Sequence, residues 1–173
     1  MAEFLQLLII GISQGCVYGL IAMGFVMIYK ATEMVNFAQG DIMMLGAFVA
    51  FSFSAYAGLN FWLALLAAMA VMAVFGALVD MVVVRRIIGQ PQFSIVILTI
   101  SMGFIFRAAA GMIWGPSPLS LDTPFGGTSS FAGAVIGHER LAIIAGTLIM
   151  VTLIWLFMTF SRWGIAMQAA SQN

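Results

Sequence analysis

The segment "MVNFAQGDIMML", residues 34–45, places Asn36, Gln39 and Asp41 between two strongly apolar runs. The apolar run that follows Asp41 reaches only to Ala57, which is about 17 residues or roughly 25 Å of helix. That length is marginal for a membrane crossing. The polar side chains at the start of this run therefore decide how the second helix of the chain is built.

Three interpretations of the segment remain open. A helix that begins near Val35 would carry Asn36 and Gln39 to membrane depth. Alternatively, the chain is unwound there, and its polar groups face protein or a water-filled path. The third interpretation is an ordinary cytoplasmic turn in which the Asp41 carboxylate caps the second helix by accepting N–H bonds from its first turn.

The composition of the chain is that of an integral membrane protein. Of its 173 residues, 64% are hydrophobic and only 7% are charged, and the mean hydropathy is +1.15. Six basic and six acidic residues cancel, so bulk charge does not favour nucleic acid as a partner. The single cysteine, Cys16, lies in an apolar run and cannot form an internal disulfide.

Windows of roughly 20 apolar residues predict an all-α fold with about five transmembrane helices. These windows lie near residues 5–29, 37–57, 61–84, 93–113 and 141–160. Between the last two, residues 114–140 are rich in proline, glycine, serine and threonine, which predicts an irregular loop.

The orientation of the helices follows from the positions of the basic residues. Lys30, Arg85, Arg86 and Arg162 follow the first, third and fifth helices, which end on one side in an alternating topology. The positive-inside rule makes that side cytoplasmic. The amino terminus is therefore predicted outside, and residues 114–140 are predicted to form a periplasmic loop.

Two polar or small-residue patterns mark the first helix. Gly11, Gly15 and Gly19 recur every four residues on one face, a spacing that lets another helix approach closely. Gln14 and Tyr18 lie four apart on a neighbouring face. This polar stripe either lines a pathway or hydrogen-bonds another helix.

The remaining charged residues favour structural roles. Arg107 lies a little outward of the middle of the fourth helix, so it faces the protein interior or extends outward to the interface. Asp80 is expected to pair locally with Arg85 or Arg86, and His138 is expected to be a loop histidine. No phosphate-binding loop, serine nucleophile motif or zinc-binding helix motif occurs, so the chain is not expected to be an enzyme or to bind a metal.

A resemblance to a known family rests on residues 15–50, "GCVYGLIAMGFVMIYKATEMVNFAQGDIMMLGAFVA". This stretch resembles the amino-terminal signature of the permease subunits of branched-chain amino acid ABC importers. In that family a glycine-rich first helix leads into a "VNFAxG" segment, an acidic residue and a small-residue helix. The family often has histidine where this chain has Gln39. The resemblance continues through residues 83–116, where a basic loop, an apolar helix and a Trp-Gly-Pro exit recur, and covers nearly the whole chain.

The last residues, "SRWGIAMQAASQN" at 161–173, look like the start of the cytoplasmic coupling loop through which these permeases contact their ATPase. The residues that keep the family pattern and are expected to make this contact are Arg162, Gly164, Ala166 and Ala169. Ile165 and Gln168 depart from the pattern and remove two positive charges, which weakens charge complementarity with the ATPase.

The resemblance implies a permease subunit of an ATP-driven importer for branched-chain amino acids or similar small polar solutes, in a bacterial inner membrane. Residues 1–173 would be a single transmembrane permease domain, the amino-terminal portion of a longer permease. The implied partners are two ATPase subunits, a second permease subunit, a periplasmic solute-binding protein and the lipid bilayer. The chain itself would bind no cofactor, since ATP would bind the partner ATPases. The predicted path residues are Gln14, Tyr18, Asn36 and Gln39.

Two other functions remain open. One is a self-contained secondary carrier or channel, with an ion or proton site around Asp41 and Arg107. Its signature would be a carboxylate at mid-depth, whereas Asp41 and Asp80 are both predicted near helix ends. The other is a membrane fragment or assembly subunit that does not transport. Within the family, urea, short amides and other amino acids are alternative substrates.

Overall fold

A computed structural model describes residues 2–87, 89–121, 123–131, 134–162 and 164 of the chain. Its helices are α1 (Ala2–Thr32), α2 (Gln39–Ala55), α3 (Phe61–Val79), α4 (Arg85–Ile87), α5 (Gln92–Trp114) and α6 (His138–Phe160). Two short strands, β1 (Thr128–Phe131) and β2 (Ala134–Gly137), precede α6.

The helices confirm the predicted all-α membrane architecture. Four helical segments of the described chain are long and apolar enough to cross a membrane, namely α1, the continuous helix formed by α3 and α4, α5, and α6. The predicted second helix is shorter, since α2 has 17 residues. Large apolar side chains along these helices are exposed, as expected where lipid is the solvent.

The chain divides into two compact units. The first consists of Met1–Glu33 with Thr123–Asn173, and the second is Met34–Asp122. The prediction that residues 1–173 form a single domain stays a prediction.

In the second unit, α2 packs against both α3 and α5. Small side chains dominate these contacts, since without a hydrophobic driving force in lipid, close backbone approach supplies the packing energy. The buried residues on the three helices include Leu45, Ala50, Ala64, Ala68, Met102 and Ala110. In addition, Phe75 of α3 meets Phe106 of α5 edge-on, with ring centroids 5.4 Å apart.

The helix that begins with α3 has a defined start and an irregular end. The Asn60 side-chain oxygen accepts the backbone N–H of Leu63 at 2.9 Å, which caps the first turn. After Val79 the helix widens into a π-helical turn, Asp80–Val84, before α4. The Arg85 Nε lies 3.0 Å from the Asp80 carboxylate, which confirms the predicted local pairing of Asp80.

A proline and a glycine delimit α5. Pro91 precedes its first residue, where the missing N–H of proline has no consequence. Gly115 ends α5 with a φ of 78°, a left-handed conformation that glycine adopts without strain. Its N–H donates to the Gly111 carbonyl at 3.0 Å.

In the first unit, α1 packs against α6 and against β2. Strands β1 and β2 form an antiparallel hairpin in which Thr128 pairs with Gly137. The prediction that residues 114–140 form an irregular loop is therefore wrong for β1 and β2, which pair as antiparallel strands. The prediction of a loop histidine is also wrong. His138 is the first residue of α6, and its Nε2 lies 2.6 Å from the Ser129 Oγ.

Candidate functional site

The chain is not helical between α1 and α2. Residues 34–38 carry no helix, and α2 begins only at Gln39. The Asn36 side-chain oxygen accepts the Ala38 N–H at 3.0 Å, which forms a local turn of the kind that asparagine favours. The structure therefore excludes a helix that begins near Val35, and residues 34–38 form a non-helical turn.

Asp41 does not cap α2. The residue at the cap position is Ala38, whose side chain makes no capping hydrogen bond. The prediction of an Asp41 cap is therefore wrong, and the physical reason is that its carboxylate is bound elsewhere. The Arg107 Nη2 lies 2.8 Å from the Asp41 Oδ1, and the Arg107 Nε lies 3.1 Å from the same oxygen.

This ion pair fixes where α2 begins relative to α5. Gly103 and Arg107, which both contact Asp41, lie about 17 and 22 Å along α5 from its first residue at a rise of about 1.5 Å per residue. The first turn of α2 thus lies beside the middle of a helix that is long enough to span a membrane. The prediction that Asp41 lies near a helix end holds for its own helix. Its place beside α5 depends on the packing of the two helices and does not follow from its position in α2 alone.

The far end of α2 is held to α5 by a second contact. The Trp114 Nε1 donates to the Ser52 Oγ at 2.7 Å, and the Trp114 and Phe48 rings stack with centroids 5.1 Å apart. Since Asp41 meets Arg107 and Ser52 meets Trp114, α2 and α5 run in the same direction. An alternating topology requires this of the second and fourth helices.

Gly103 permits the approach of α2 to α5. A Cβ atom at Gly103 would collide with the Asp41 Oδ2 and would lie 3.8 Å from the Ala38 Cα. Ala38 is itself completely buried. Only glycine therefore leaves room for the Asp41 carboxylate at this position.

The pair is unevenly exposed. The Asp41 side chain is 12% exposed, whereas the Arg107 side chain is 66% exposed. Burial makes an isolated carboxylate costly, so Asp41 depends on its partner. The guanidinium, by contrast, has one side open. The prediction that Arg107 faces the interior or extends outward did not identify this partner, which lies in a different helix.

The predicted path residues of the second unit lie next to the ion pair in sequence. Asn36 and Gln39 are both half-buried. A separate apolar cavity of about 890 Å³ lies between α2, α3 and residues 115–121. Asn36, Gln39, Asp41 and Arg107 are not among the residues that line it. The polar site and the apolar cavity are therefore distinct.

The predicted residues of α1 are exposed. Gln14 and Tyr18 both face outward, and nothing lies within 4 Å of a Cβ atom placed at Gly11, Gly15 or Gly19. Among the described residues of the first unit, therefore, no helix occupies the glycine face. Its role in packing stays a prediction.

The sequence did not point to the polar contact that α1 does make. Ser13 is completely buried, and its Oγ accepts from the Arg140 Nη1 at 3.2 Å. Arg140 had been placed in the periplasmic loop, but it lies in the first turn of α6. The sequence carried no signal for this contact, since Ser13 lies two residues from Gly11 and Gly15 and therefore off the face of the glycine stripe.

The predicted ATPase contacts lie at the end of the chain. Arg162 is exposed, and Gly164 is buried against the end of α6, where an added Cβ atom would lie 2.7 Å from the Met158 Cα. Ala166 and Ala169 lie outside the described residues. Among the residues that the structure describes, no group of three or more metal-binding side chains occurs.

Comparison with known proteins identifies the family. Residues 7–173 match the family described as the permease component of the branched-chain amino acid transport system. The chain belongs to this permease family. Its resemblance at residues 15–50 and 83–116 is thus part of a match that covers nearly the whole chain, and the helices agree with a multi-pass membrane protein.

Several curated relatives belong to the same group. The permease protein BraD of the Pseudomonas aeruginosa high-affinity branched-chain amino acid transport system is 30% identical over 184 residues, which cover 99% of this chain and 60% of BraD. The corresponding LivH proteins of Escherichia coli K12 and Salmonella typhimurium are each 26% identical, over 98% of this chain and 59% of their own length. The chain thus spans about 60% of the length of these relatives. No solved structure gave a significant match.

Proposed function

We propose that this permease acts in the bacterial inner membrane as part of an ATP-driven importer of branched-chain amino acids. The match of residues 7–173 to a permease family carries the proposal. The broken start of α2 supports it, because irregular backbone at membrane depth is tolerated where it is enclosed by protein or lines a cavity.

The partners follow from this function. Two ATPase subunits would supply the energy, a second permease subunit would complete the path, and a periplasmic protein would deliver the solute. The exposed Arg162 side chain, in the stretch that resembles a coupling loop, would contact an ATPase. Import by alternating access requires two arrangements of the helices whose equilibrium both ATP and solute shift.

Uptake into vesicles tests this function. The permease is reconstituted with its ATPases, its second permease subunit and the binding protein, and ¹⁴C-leucine uptake is followed. We expect uptake only when ATP is supplied on the side of the vesicle membrane that the ATPases face. An ionophore that dissipates ion gradients should have no effect. Uptake that needs an ion gradient and ignores ATP would instead favour the carrier with a site around Asp41. Uptake of urea or acetamide without leucine would contradict the amino acid assignment.

The same assay tests Asn36 and Gln39 as path residues. The Asn36→Ala/Gln39→Ala variant is expected to lower leucine uptake about thirtyfold, because two lost hydrogen bonds to a polar solute, at roughly 1 kcal/mol each, amount to about 2 kcal/mol. Asn36 also stabilises the turn before α2, so Asn36→Ser, which keeps an acceptor oxygen, separates the two roles. Unchanged uptake by the double variant would remove both residues from the path.

A further inference from the structure

We propose that the open edge of the Arg107 guanidinium receives the carboxylate of the transported solute, with Asp41 holding the guanidinium in position. This inference rests on the proposed importer function. It adds the contact that would distinguish a zwitterionic amino acid from an uncharged amide or urea, namely the one made to the solute carboxylate. It also makes Arg107 a binding residue and Asp41 a positioning residue.

The hydrogen bonds of Arg107 leave one edge of the guanidinium free. A guanidinium presents five N–H groups in one plane, arranged so that a carboxylate can bind along either of two edges. Asp41 uses only the edge formed by Nε and Nη2, through its Oδ1. No other described residue accepts a hydrogen bond from Arg107. The edge formed by Nη1 and Nη2 is therefore available for a second carboxylate.

The location of this edge points to a ligand. With 66% of its side chain exposed, Arg107 lies about two-thirds of the way along a helix long enough to span a membrane. A charged group at that depth does not face lipid, since the cost is several kcal/mol. Its open edge must therefore face either another protein surface or a water-filled path. A water-filled path that carries a polar solute is what the proposed function requires.

The sum of charges favours a zwitterion. Asp41 and Arg107 together carry no net charge, and a bound zwitterion leaves that sum at zero. A solute with only a carboxylate would add one negative charge at membrane depth, and a solute with only an ammonium group would add one positive charge next to Arg107. We therefore expect leucine to bind most tightly, 4-methylpentanoate less tightly and leucinamide least.

The other ion pair of the second unit provides a matched control. Arg85 and Asp80 are also about 3.0 Å apart, and the Arg85 side chain is 69% exposed. Their pair, however, joins neighbouring turns of one helix near its end. Replacing Arg85 thus removes a similar charge and a similar hydrogen bond without altering the site at the start of α2.

Direct binding to the assembled complex tests the proposal. The permease, its second permease subunit and its ATPases are placed in lipid nanodiscs without the binding protein, and the affinities for leucine, 4-methylpentanoate and leucinamide are measured by equilibrium dialysis. We expect Arg107→Gln to weaken leucine binding about tenfold or more, as loss of a charge-assisted hydrogen bond does. Arg85→Gln should change it by no more than about twofold.

Two further variants keep the test decisive. If Arg107→Gln does not assemble because Asp41 is left unpaired, the Asp41→Asn/Arg107→Gln variant leaves no unpaired charge and must show the same loss. Arg107→Lys keeps the charge but not the two-edged geometry, and should recover only part of the affinity. Equal leucine binding by the unmodified and Arg107→Gln complexes, or no binding of leucine to the unmodified complex, would overturn the subsite.

The failure of this inference is distinguishable from that of the importer function. ATP-driven leucine uptake that Arg107→Gln leaves unchanged would exclude the subsite and leave the importer function standing. If the unmodified transporter imports only uncharged solutes, both proposals are wrong.

Discussion

Replacement of Gly103 with alanine is expected to destabilise the permease by about 2 kcal/mol, within the range typical of overpacked interiors. The added Cβ atom would occupy the space of the Asp41 carboxylate oxygen, while its distance of 3.8 Å from the Ala38 Cα is an ordinary contact. Asp41 can avoid this collision only by turning away, which breaks its hydrogen bonds to Arg107. The substitution therefore either strains the contact between α2 and α5 or separates the ion pair.

A second glycine on the same helix is the control. A Cβ atom at Gly111 would meet nothing within 4 Å, so Gly111→Ala is expected to be neutral or to stabilise α5 by up to about 1 kcal/mol through helix propensity. The measurement is the temperature at which half of the purified complex is lost from the size-exclusion peak. Equal temperatures for the two variants would contradict the close approach at Gly103.

Replacement of Asp41 with asparagine is expected to destabilise the complex by about 2 kcal/mol as well. The change leaves the Arg107 guanidinium without a charged partner beside the middle of α5, and breaking such a pair is more harmful than removing both charges. The effect is smaller than for a fully buried pair because 66% of the Arg107 side chain is exposed. The double variant Asp41→Asn/Arg107→Gln should therefore be more stable than Asp41→Asn alone.

The same size-exclusion assay checks this result. Asp80→Asn breaks the other ion pair, whose two side chains are 69% and 46% exposed, and should change stability by less than about 1 kcal/mol. If Asp41→Asn and Asp80→Asn have equal effects, or if the double variant is the least stable, the ion pair between α2 and α5 does not anchor the start of α2.

Much of the fold could be predicted from the sequence because lipid imposes simple requirements on a chain. Apolar windows of sufficient length located α1, α2, α3, α5 and α6, and α2 was recognised as too short for a secure crossing. The hairpin before α6 was missed because its composition matches that of a loop, and only the pairing of its two strands stabilises it. The local pairing of Asp80 with Arg85 was predictable because both residues lie on one helix.

The candidate site was predictable only in part. A polar interruption between apolar runs was enough to single out Asn36, Gln39 and Asp41. Asp41 and Arg107 were placed together only in the carrier alternative, because residue depth was otherwise estimated for each helix separately. On that basis Asp41 lay near the cytoplasmic side, whereas Arg107 lay on the outer half of its own helix. The interpretation as an importer permease therefore did not pair the two residues.

The sequence by itself determined that this protein spans a membrane, where its helices lie and that the second helix has a polar start, because backbone hydrogen bonds and apolar length are local requirements. The tertiary structure alone decided where that start lies. The absence of a side chain at Gly103 lets α2 begin beside the middle of α5, and this approach brings Asp41 to Arg107, 66 residues away in the chain. A contact of this kind depends on the packing of two helices, which no property of either helix alone specifies.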